Sequence, residues 1–314
     1  MPRPTRGFAS TVPPRAISVT SPKPKIHVAG PILPTAEAVL REDFELLDAP
    51  AGVDGILAMV TTPVDAAYLA AAGPQVRIVA NCAVGVNNID LAAARAAGVV
   101  VTNTPDVLTF ATAELAVALM LSLLRRITEG DRLIRRREPW QFSLGFMLGT
   151  SLQGRTVGIV GAGRIGLETA RLVEAFGAHP ILSRRDKPLD ELLGRADVVS
   201  LHCPLTPQTH HLIDAAALAQ MHPTAVLVNT ARGPIVDERA LVDALRAGSI
   251  AGAALDVYEF EPEVADGLRE LENVVLSPHL GSATTATREA MCMMAVDSLR
   301  RVLLEGTLPL NVVA

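Results

Sequence analysis

Residues 156–166, TVGIVGAGRIG, restrict what this chain can fold into more than any other stretch. Val157, Ile159 and Val160, with Ala162 more weakly, surround Gly158 and Gly161, which reads as a buried strand entering a tight turn. Gly161, Gly163 and Gly166 fit G-x-G-x-x-G, and residues 167–176 carry helical spacing. The first glycine permits the turn, the second lets a pyrophosphate approach the backbone, and the third lets the helix pack on the strand. A glycine-rich turn without function is the plain alternative. The strand before, the helix after and a second strand at 179–183 favour a dinucleotide site, with phosphate on the exposed N–H groups of the helix start.

At 314 residues the chain has room for two domains of about 100–200 residues each. Apolar residues make up 49% and aromatics only 3%, so the cores must be built from Ala, Val and Leu. The net charge of -5 shows no basic face for nucleic acid; Arg125–Arg126 and Arg135–Arg137 read as solvated helix ends. No uncharged apolar run reaches the roughly 18 residues of a membrane span. Cys82, Cys203 and Cys292 are far apart in sequence and show no metal spacing, so no metal is expected and reduced thiols in the cytoplasm are the simple reading. Residues 1–24 lack acids and hold six prolines, which predicts a disordered extension rather than an amphipathic targeting helix.

Strand patterns at 25–29, 55–60, 76–80 and 99–102 alternate with helical ones at 37–41, 64–72 and 91–97. That alternation predicts a parallel α/β layer before the glycine fingerprint is reached. Residues 109–126 are apolar around most of a helix, which places them between domains or at a subunit interface. After the fingerprint come strand candidates at 198–202, 225–229, 251–255 and 274–276, then a long helix at 284–304. The expected fold is α/β: two Rossmann-like, doubly wound parallel sheets with a cleft between them, the C-terminal helix returning to the first. The expected bounds are 1–24 for the extension, 25–103 and 284–314 for a substrate-binding domain, and 104–283 for the dinucleotide-binding domain.

An NAD-preferring site has an acid about 20 residues beyond the fingerprint, bonding the ribose. Here that point reads Leu182-Ser183-Arg184-Arg185-Asp186, a hydroxyl and two arginines. Guanidinium groups pair with a 2′-phosphate, which predicts NADPH preference led by Arg184, with Ser183 and Arg185 assisting and NADH as the lesser cofactor. Asp186 on the ribose beside two solvated arginines is the opposing reading. Farther on, three strands end in NTARG (229–233), DVYEFEP (256–262) and SPHLGS (277–282). Ligands of open α/β sheets bind outside the carboxyl ends of strands, so Arg232, the acidic loop and His279 share one rim. Singly each has a bland alternative: a surface salt bridge, a solvated loop, a loop histidine.

Together with ANCAVGVNNID (80–90), NTPDVL (103–108) and TAE (112–114), these motifs resemble the D-isomer-specific 2-hydroxyacid dehydrogenase family over residues 25–313. Within it, NTPDVLTFATAE and the Ser-Arg-Arg strand end are similar to glyoxylate/hydroxypyruvate reductases. The resemblance implies Arg232 on the substrate carboxylate and keto oxygen, His279 as acid in reduction and base in oxidation, and Glu261 hydrogen-bonded to His279. It implies Val84 and Gly85 holding the carboxylate from the other domain, and Val60 and Thr61 near the substrate side chain. Thr112, Gly161, Ala162, Gly163, Arg164, Ile165, Gly166, Ser183, Cys203, Pro204, Thr209, Thr230, Ala231, Asp256 and Gly281 would contact the cofactor, with Arg232 and His279 reaching it as well. The expected ligand is a small 2-keto or 2-hydroxy acid, and the expected assembly a homodimer. Residues 138–149 and the link from Arg185 to Leu189 are shorter than is usual in the family. Cys82 stands where relatives often have an aromatic residue and reads as core filler. Another 2-hydroxyacid dehydrogenase, such as a 2-ketogluconate reductase, and a dinucleotide-sensing corepressor-like protein are the alternatives. A formate dehydrogenase is not, because that subgroup has glutamine in place of Glu261.

Overall fold

The computed structural model describes residues 22–183 and 189–314. The expected extension up to residue 21 and the Arg184–Arg185 pair lie outside the described residues. The first part of the chain runs β1 (Lys25–Ala29), α1 (Pro34–Asp43), β2 (Glu45–Leu47), β3 (Gly55–Ala58), α2 (Ala66–Ala72), β4 (Ile78–Asn81), α3 (Leu91–Ala96) and β5 (Val100–Thr102). Among the described residues these strands form a five-stranded sheet in the order β2-β1-β3-β4-β5, and every named pairing is parallel. Successive strand residues face opposite sides of a sheet, and both faces are buried here. Thus Ile26, Leu57 and Ile78 point into one cluster with Leu40 of α1, while Ile56, Val79 and Val101 point into another with Leu69 of α2 and Ala94 of α3.

Two helices follow, α4 (Thr109–Leu124) and α5 (Ile127–Arg135). The second part then runs β6 (Thr156–Val160), α6 (Arg164–Ala175), β7 (His179–Leu182), α7 (Leu189–Leu193), β8 (Val198–Leu201), α8 (Ala215–Gln220) and β9 (Val226–Asn229). It continues through α9 (Glu238–Arg246), β10 (Gly252–Leu255), α10 (Asp266–Arg269) and β11 (Val274–Leu276). These six strands pair in the order β11-β10-β9-β8-β6-β7, again all parallel. The order reverses between β6 and β8, and the crevice of a doubly wound sheet opens at such a switch point.

The apolar helix α4 does not bridge the two sheets. Ala116, Val117, Met120 and Leu124 pack with Val157, Ile159, Val226, Val228 and Ala254, so α4 and α6 cover one face of the second sheet. Its all-round apolar character reflects this double packing, against strands and against a neighbouring helix.

The last helix, α11 (Thr285–Arg300), crosses back to the first sheet. Cys292, Ala295, Val296 and Leu299 fill the cluster containing Ile26, Leu57 and Ile78. Beyond it the chain bonds to the edge of β5, with Val101 N–H donating to Ala314 and Val313 N–H donating to Val101. Among the described residues, no helix is long and apolar enough to cross a membrane.

Candidate active site

The glycine fingerprint has the geometry its residue types demand. Gly161 has φ +103°, and a β-carbon there would strike the backbone of His202 and Cys203 at the end of β8. A β-carbon on Gly166 would overlap the Gly161 carbonyl, so this glycine sets how closely α6 approaches β6. Around Gly163 there is open space, and it starts α6 with no side chain capping the helix. The first N–H groups of a helix lack internal partners, so an uncapped start beside an open cradle accepts a phosphate. These residues therefore fit a dinucleotide pyrophosphate.

The other expected cofactor residues lie along the same edge. Ser183 leaves β7 with its N–H bonded to Ile159 O. Cys203 and Pro204 leave β8, and the Thr209 hydroxyl closes that loop by donating to Pro204 O at 2.7 Å. Thr230 and Ala231 leave β9, and the buried Thr230 Oγ1 has no partner among the described residues. Asp256 leaves β10 fully buried and accepts from the N–H groups of Leu280 and Gly281 at 2.7 and 2.8 Å, and from Ser277 Oγ. Burial raises its carboxyl above the ordinary range, against these bonds and the nearby His279. Thr112, on α4, donates its hydroxyl to Gly281 O at 3.1 Å. Ala162, Arg164 and Ile165 lie at the fingerprint turn, and Arg164 pairs with Asp106 across 2.6 Å.

On the first sheet, Val60 and Thr61 follow β3, and Val84 and Gly85 follow the neighbouring β4. The carbonyls of Val84 and Gly85 are taken by Asn103 Nδ2 and Asn81 Nδ2, each at 2.9 Å. Their N–H groups find no partner among the described residues. A loop pinned by its carbonyls, with two amides left over, is a ready anion receiver.

Arg232 meets this loop from the other sheet. A β-carbon on Gly85 would collide with its guanidinium. The Arg232 backbone is fixed by Asn229 Nδ2 donating to its carbonyl, and Nη1 donates to Ala231 O at 2.6 Å. Burial lowers the pKa of this guanidinium, with Glu261 opposing at Coulombic range. A desolvated cation facing two open amides selects an anion.

His279 sits in the left-handed region at φ +54°, and its N–H donates to Asp256 O. Its ring Nδ1 meets Glu261 Oε2 at 2.8 Å, which leaves Nε2 outside the pair. Tyr258 N–H holds the other oxygen, Glu261 Oε1, at 3.0 Å. The Tyr258 hydroxyl donates to Leu255 O and Ser277 O, tying the exits of β10 and β11 together. Burial pushes the Glu261 carboxyl up, but the His279 hydrogen bond and charge, the Tyr258 N–H and Arg232 prevail and hold it below its usual range.

A carboxyl depressed by folding contributes stability above its unfolded pKa of about 4.3 and loses it as pH falls through the lower, folded value. The Tm difference between the wild-type protein and Glu261→Gln is therefore expected to be full at neutral pH and to shrink in acid. A difference constant from neutral to strongly acid pH would remove this role for the carboxylate.

Sequence spacing predicts no metal site, yet His210, His211 and Glu259 bring donor atoms within 4.8 Å of one another. His211, at φ +49°, shares a 2.7 Å hydrogen bond with Glu259 that ties the loop after β8 to the loop bearing Glu261. The Asn81 and Asn103 clamps, Ser277 and Tyr258 escaped the sequence reading. Asn81 and Asn103 stand inside quoted motifs, but what each side chain holds becomes visible only in three dimensions.

A profile of the D-isomer specific 2-hydroxyacid dehydrogenase NAD-binding domain matches residues 117–281. The glyoxylate reductase of Thermococcus onnurineus is 42% identical over 308 residues, spanning 88% of this chain and 92% of that protein. A Thermus thermophilus crystal structure superposes with a TM-score of 0.86 at 40% identity, covering 92% of this chain and all (100%) of the other. An NADPH-dependent glyoxylate/hydroxypyruvate reductase of Sinorhizobium meliloti, in complex with NADP and malonate, gives a TM-score of 0.82 at 37% identity, over 93% of this chain and 97% of its own. The phosphate cradle, the two parallel sheets and this similarity lead to one conclusion: the chain belongs to the D-isomer-specific 2-hydroxyacid dehydrogenases, enzymes that use a nicotinamide dinucleotide.

Proposed function

We propose that the protein reduces a small 2-keto acid, glyoxylate or hydroxypyruvate, to the D-2-hydroxy acid with NADPH. The observation that carries this reading is the desolvated Arg232 guanidinium set against the free Val84 and Gly85 amides, beside the His279–Glu261 pair. Arg232 binds the substrate carboxylate and polarises the keto oxygen, and the two amides hold the carboxylate from the opposite side. Bound NADPH supplies the hydride. As charge develops on the keto oxygen, Arg232 stabilises it and His279 delivers a proton from Nε2. Glu261 keeps the imidazole oriented and compensates its charge. Thr112 and Asp256 position the nicotinamide side of the site, with Thr230 and Ala231 lining it. Val60 and Thr61 bound the substrate side chain.

NADPH preference is supported by the lack of an acid at Ser183-Arg184-Arg185 and by the NADPH-dependent Sinorhizobium relative. The proposed domain division, 25–103 with 284–314 against 104–283, is supported by the two separate sheets, and the proposed cleft would lie where Gly85 approaches Arg232. A homodimer is supported by the segment after α5. Phe142 is 77% exposed, Leu144 90% and Leu148 68%, a run of apolar side chains that a lone chain leaves in water. The three unbridged cysteines suit a cytoplasmic setting.

Initial rates with NADPH and NADH on glyoxylate, hydroxypyruvate, pyruvate and 2-ketogluconate test the proposal. Hydrogen bonds to a charged group contribute about 1.5–3 kcal/mol, so kcat/KM with NADPH should exceed that with NADH by about tenfold or more. A higher value with NADH overturns the cofactor assignment. No turnover of any of the four, with dinucleotide binding intact, overturns the substrate assignment.

A further inference from the structure

Cys82 and Cys292 stand 210 positions apart in sequence, yet their sulfurs lie 3.9 Å apart. Cys82 leaves the carboxyl end of β4 and is half-buried; Cys292 is buried on α11. Three residues beyond Cys82 is Gly85, whose loop faces Arg232.

The surroundings of Cys292 differ from those of an inert core thiol. Its sulfur shares a hydrogen bond with the Cys82 thiol, and the Arg288 charge lies one turn earlier on α11. The Cys82 hydrogen bond is the largest of these influences. Together they outweigh burial and the opposing Glu289, holding the Cys292 thiol below its ordinary range. The hydrogen bond to Cys292, and burial, push the Cys82 thiol up. Cys203 is raised by burial, shares no sulfur–sulfur hydrogen bond among the described residues, and serves as an internal reference.

We propose that Cys82 and Cys292 form a peroxide-oxidisable dithiol, a modification site that closes as a disulfide at the root of the Val84–Gly85 loop. The Cys292 thiolate attacks one oxygen of a hydroperoxide. A sulfur–oxygen bond forms, the oxygen–oxygen bond breaks, and hydroxide or alkoxide leaves and takes up a proton. Cys292 becomes a sulfenic acid. The Cys82 sulfur then displaces that hydroxyl as water, losing its own proton, and the sulfur–sulfur bond forms. Over both steps the two thiols lose two electrons and the peroxide gains them.

A disulfide needs a separation of about 2.05 Å, so the sulfurs must close much of the present gap. Cys292 is embedded in the core cluster of the first sheet, whereas Cys82 begins a loop. The displacement therefore falls on residues 82–85. This consequence rests on the proposed role of Val84 and Gly85; formation of the disulfide does not.

The test uses full-length, tag-free protein freed of reductant and titrated with hydrogen peroxide, remaining thiols then being capped with N-ethylmaleimide. The expected product has lost two hydrogens, keeps one cappable thiol at Cys203, and yields a peptide joining residues 82 and 292. Dithiothreitol reverses it. Cys82→Ser should leave a sulfenic acid on Cys292 that dimedone labels, Cys292→Ser should form no link, and Arg288→Gln should slow the reaction. Oxidised wild-type protein should show KM for the keto acid raised by about tenfold or more with dinucleotide affinity unchanged, as misplacement of a positioning group by about 1 Å predicts. Absence of the linked peptide, or dimedone labelling of Cys203 in preference to Cys292, overturns the modification site. A clean link with unchanged KM overturns its coupling to the substrate loop. Because the link is read by mass, it stands or falls apart from any assignment of substrate.

Discussion

Arg232→Ala is expected to lower kcat/KM for keto-acid reduction by about a thousandfold or more while dinucleotide binding is retained. Removing one preorganised donor from a developing oxyanion typically removes about 10²–10³ in kcat. Arg232 is proposed to act on that oxygen and on the carboxylate as well, so both KM and kcat suffer. The substitution should not lower Tm. Burial disfavours the charged guanidinium, and among the described residues the counter-charge acting on it is Glu261, at Coulombic range. Removing a desolvated, poorly compensated cation tends to stabilise a fold. Loss of activity with unchanged or raised Tm separates a ligand-binding arginine from a structural one. Near-normal kcat/KM would take Arg232 out of the site. Arg232→Lys should recover part of the loss, since a point charge keeps the attraction and forfeits the bidentate geometry.

His279→Asn is expected to cost about 10²–10⁴ in kcat at saturating substrate, the range of general acid catalysis. Asparagine is chosen because His279 sits at φ +54°, a conformation asparagine tolerates and alanine does not favour. The turn over 277–281 is held by Asp256 through the backbone N–H groups of Leu280 and Gly281, bonds the substitution leaves in place. Circular dichroism and dinucleotide affinity should therefore match the wild type. Activity within a few-fold of the wild type would assign the proton to another donor.

The two sheets and the glycine turn were legible in the sequence because their signals are local. Gly161 must adopt φ +103° beside the exit of β8, and a strand and a helix flank it at fixed spacing. The candidate Arg232, Glu261 and His279 were legible only jointly, as residues ending consecutive parallel strands. Strand β2, Glu45–Leu47, was not, since its acid and two adjacent leucines lack the all-apolar run that marks the equally short β11, Val274–Leu276. Helix α5 was missed for another reason. Arg125 and Arg126 read as the solvated end of α4, and Arg126 does adopt the left-handed conformation that ends a helix, but a new amphipathic helix begins directly after it. Its arginines are paired: Arg126 with Glu129, Arg135 with Asp131, and Arg132 and Arg136 with Glu272. The meeting of Cys82 with Cys292 had no local signal at all, because only the return of α11 creates it.

That return also bears on how the chain is made. Residues 25–102 leave the ribosome first, but one face of their sheet is covered by Cys292, Ala295, Val296, Leu299, Val302 and Leu303. The second sheet, by contrast, is built from one contiguous run with its helices α4 and α6 already upstream or within it. Domains made during translation ordinarily finish from the N-terminus onward. Here the order is inverted: the half synthesised first is completed last. Until α11 emerges, Ile26, Leu57 and Ile78 present an apolar face that α1 covers only in part, and chaperone capture and self-association compete with folding for that interval.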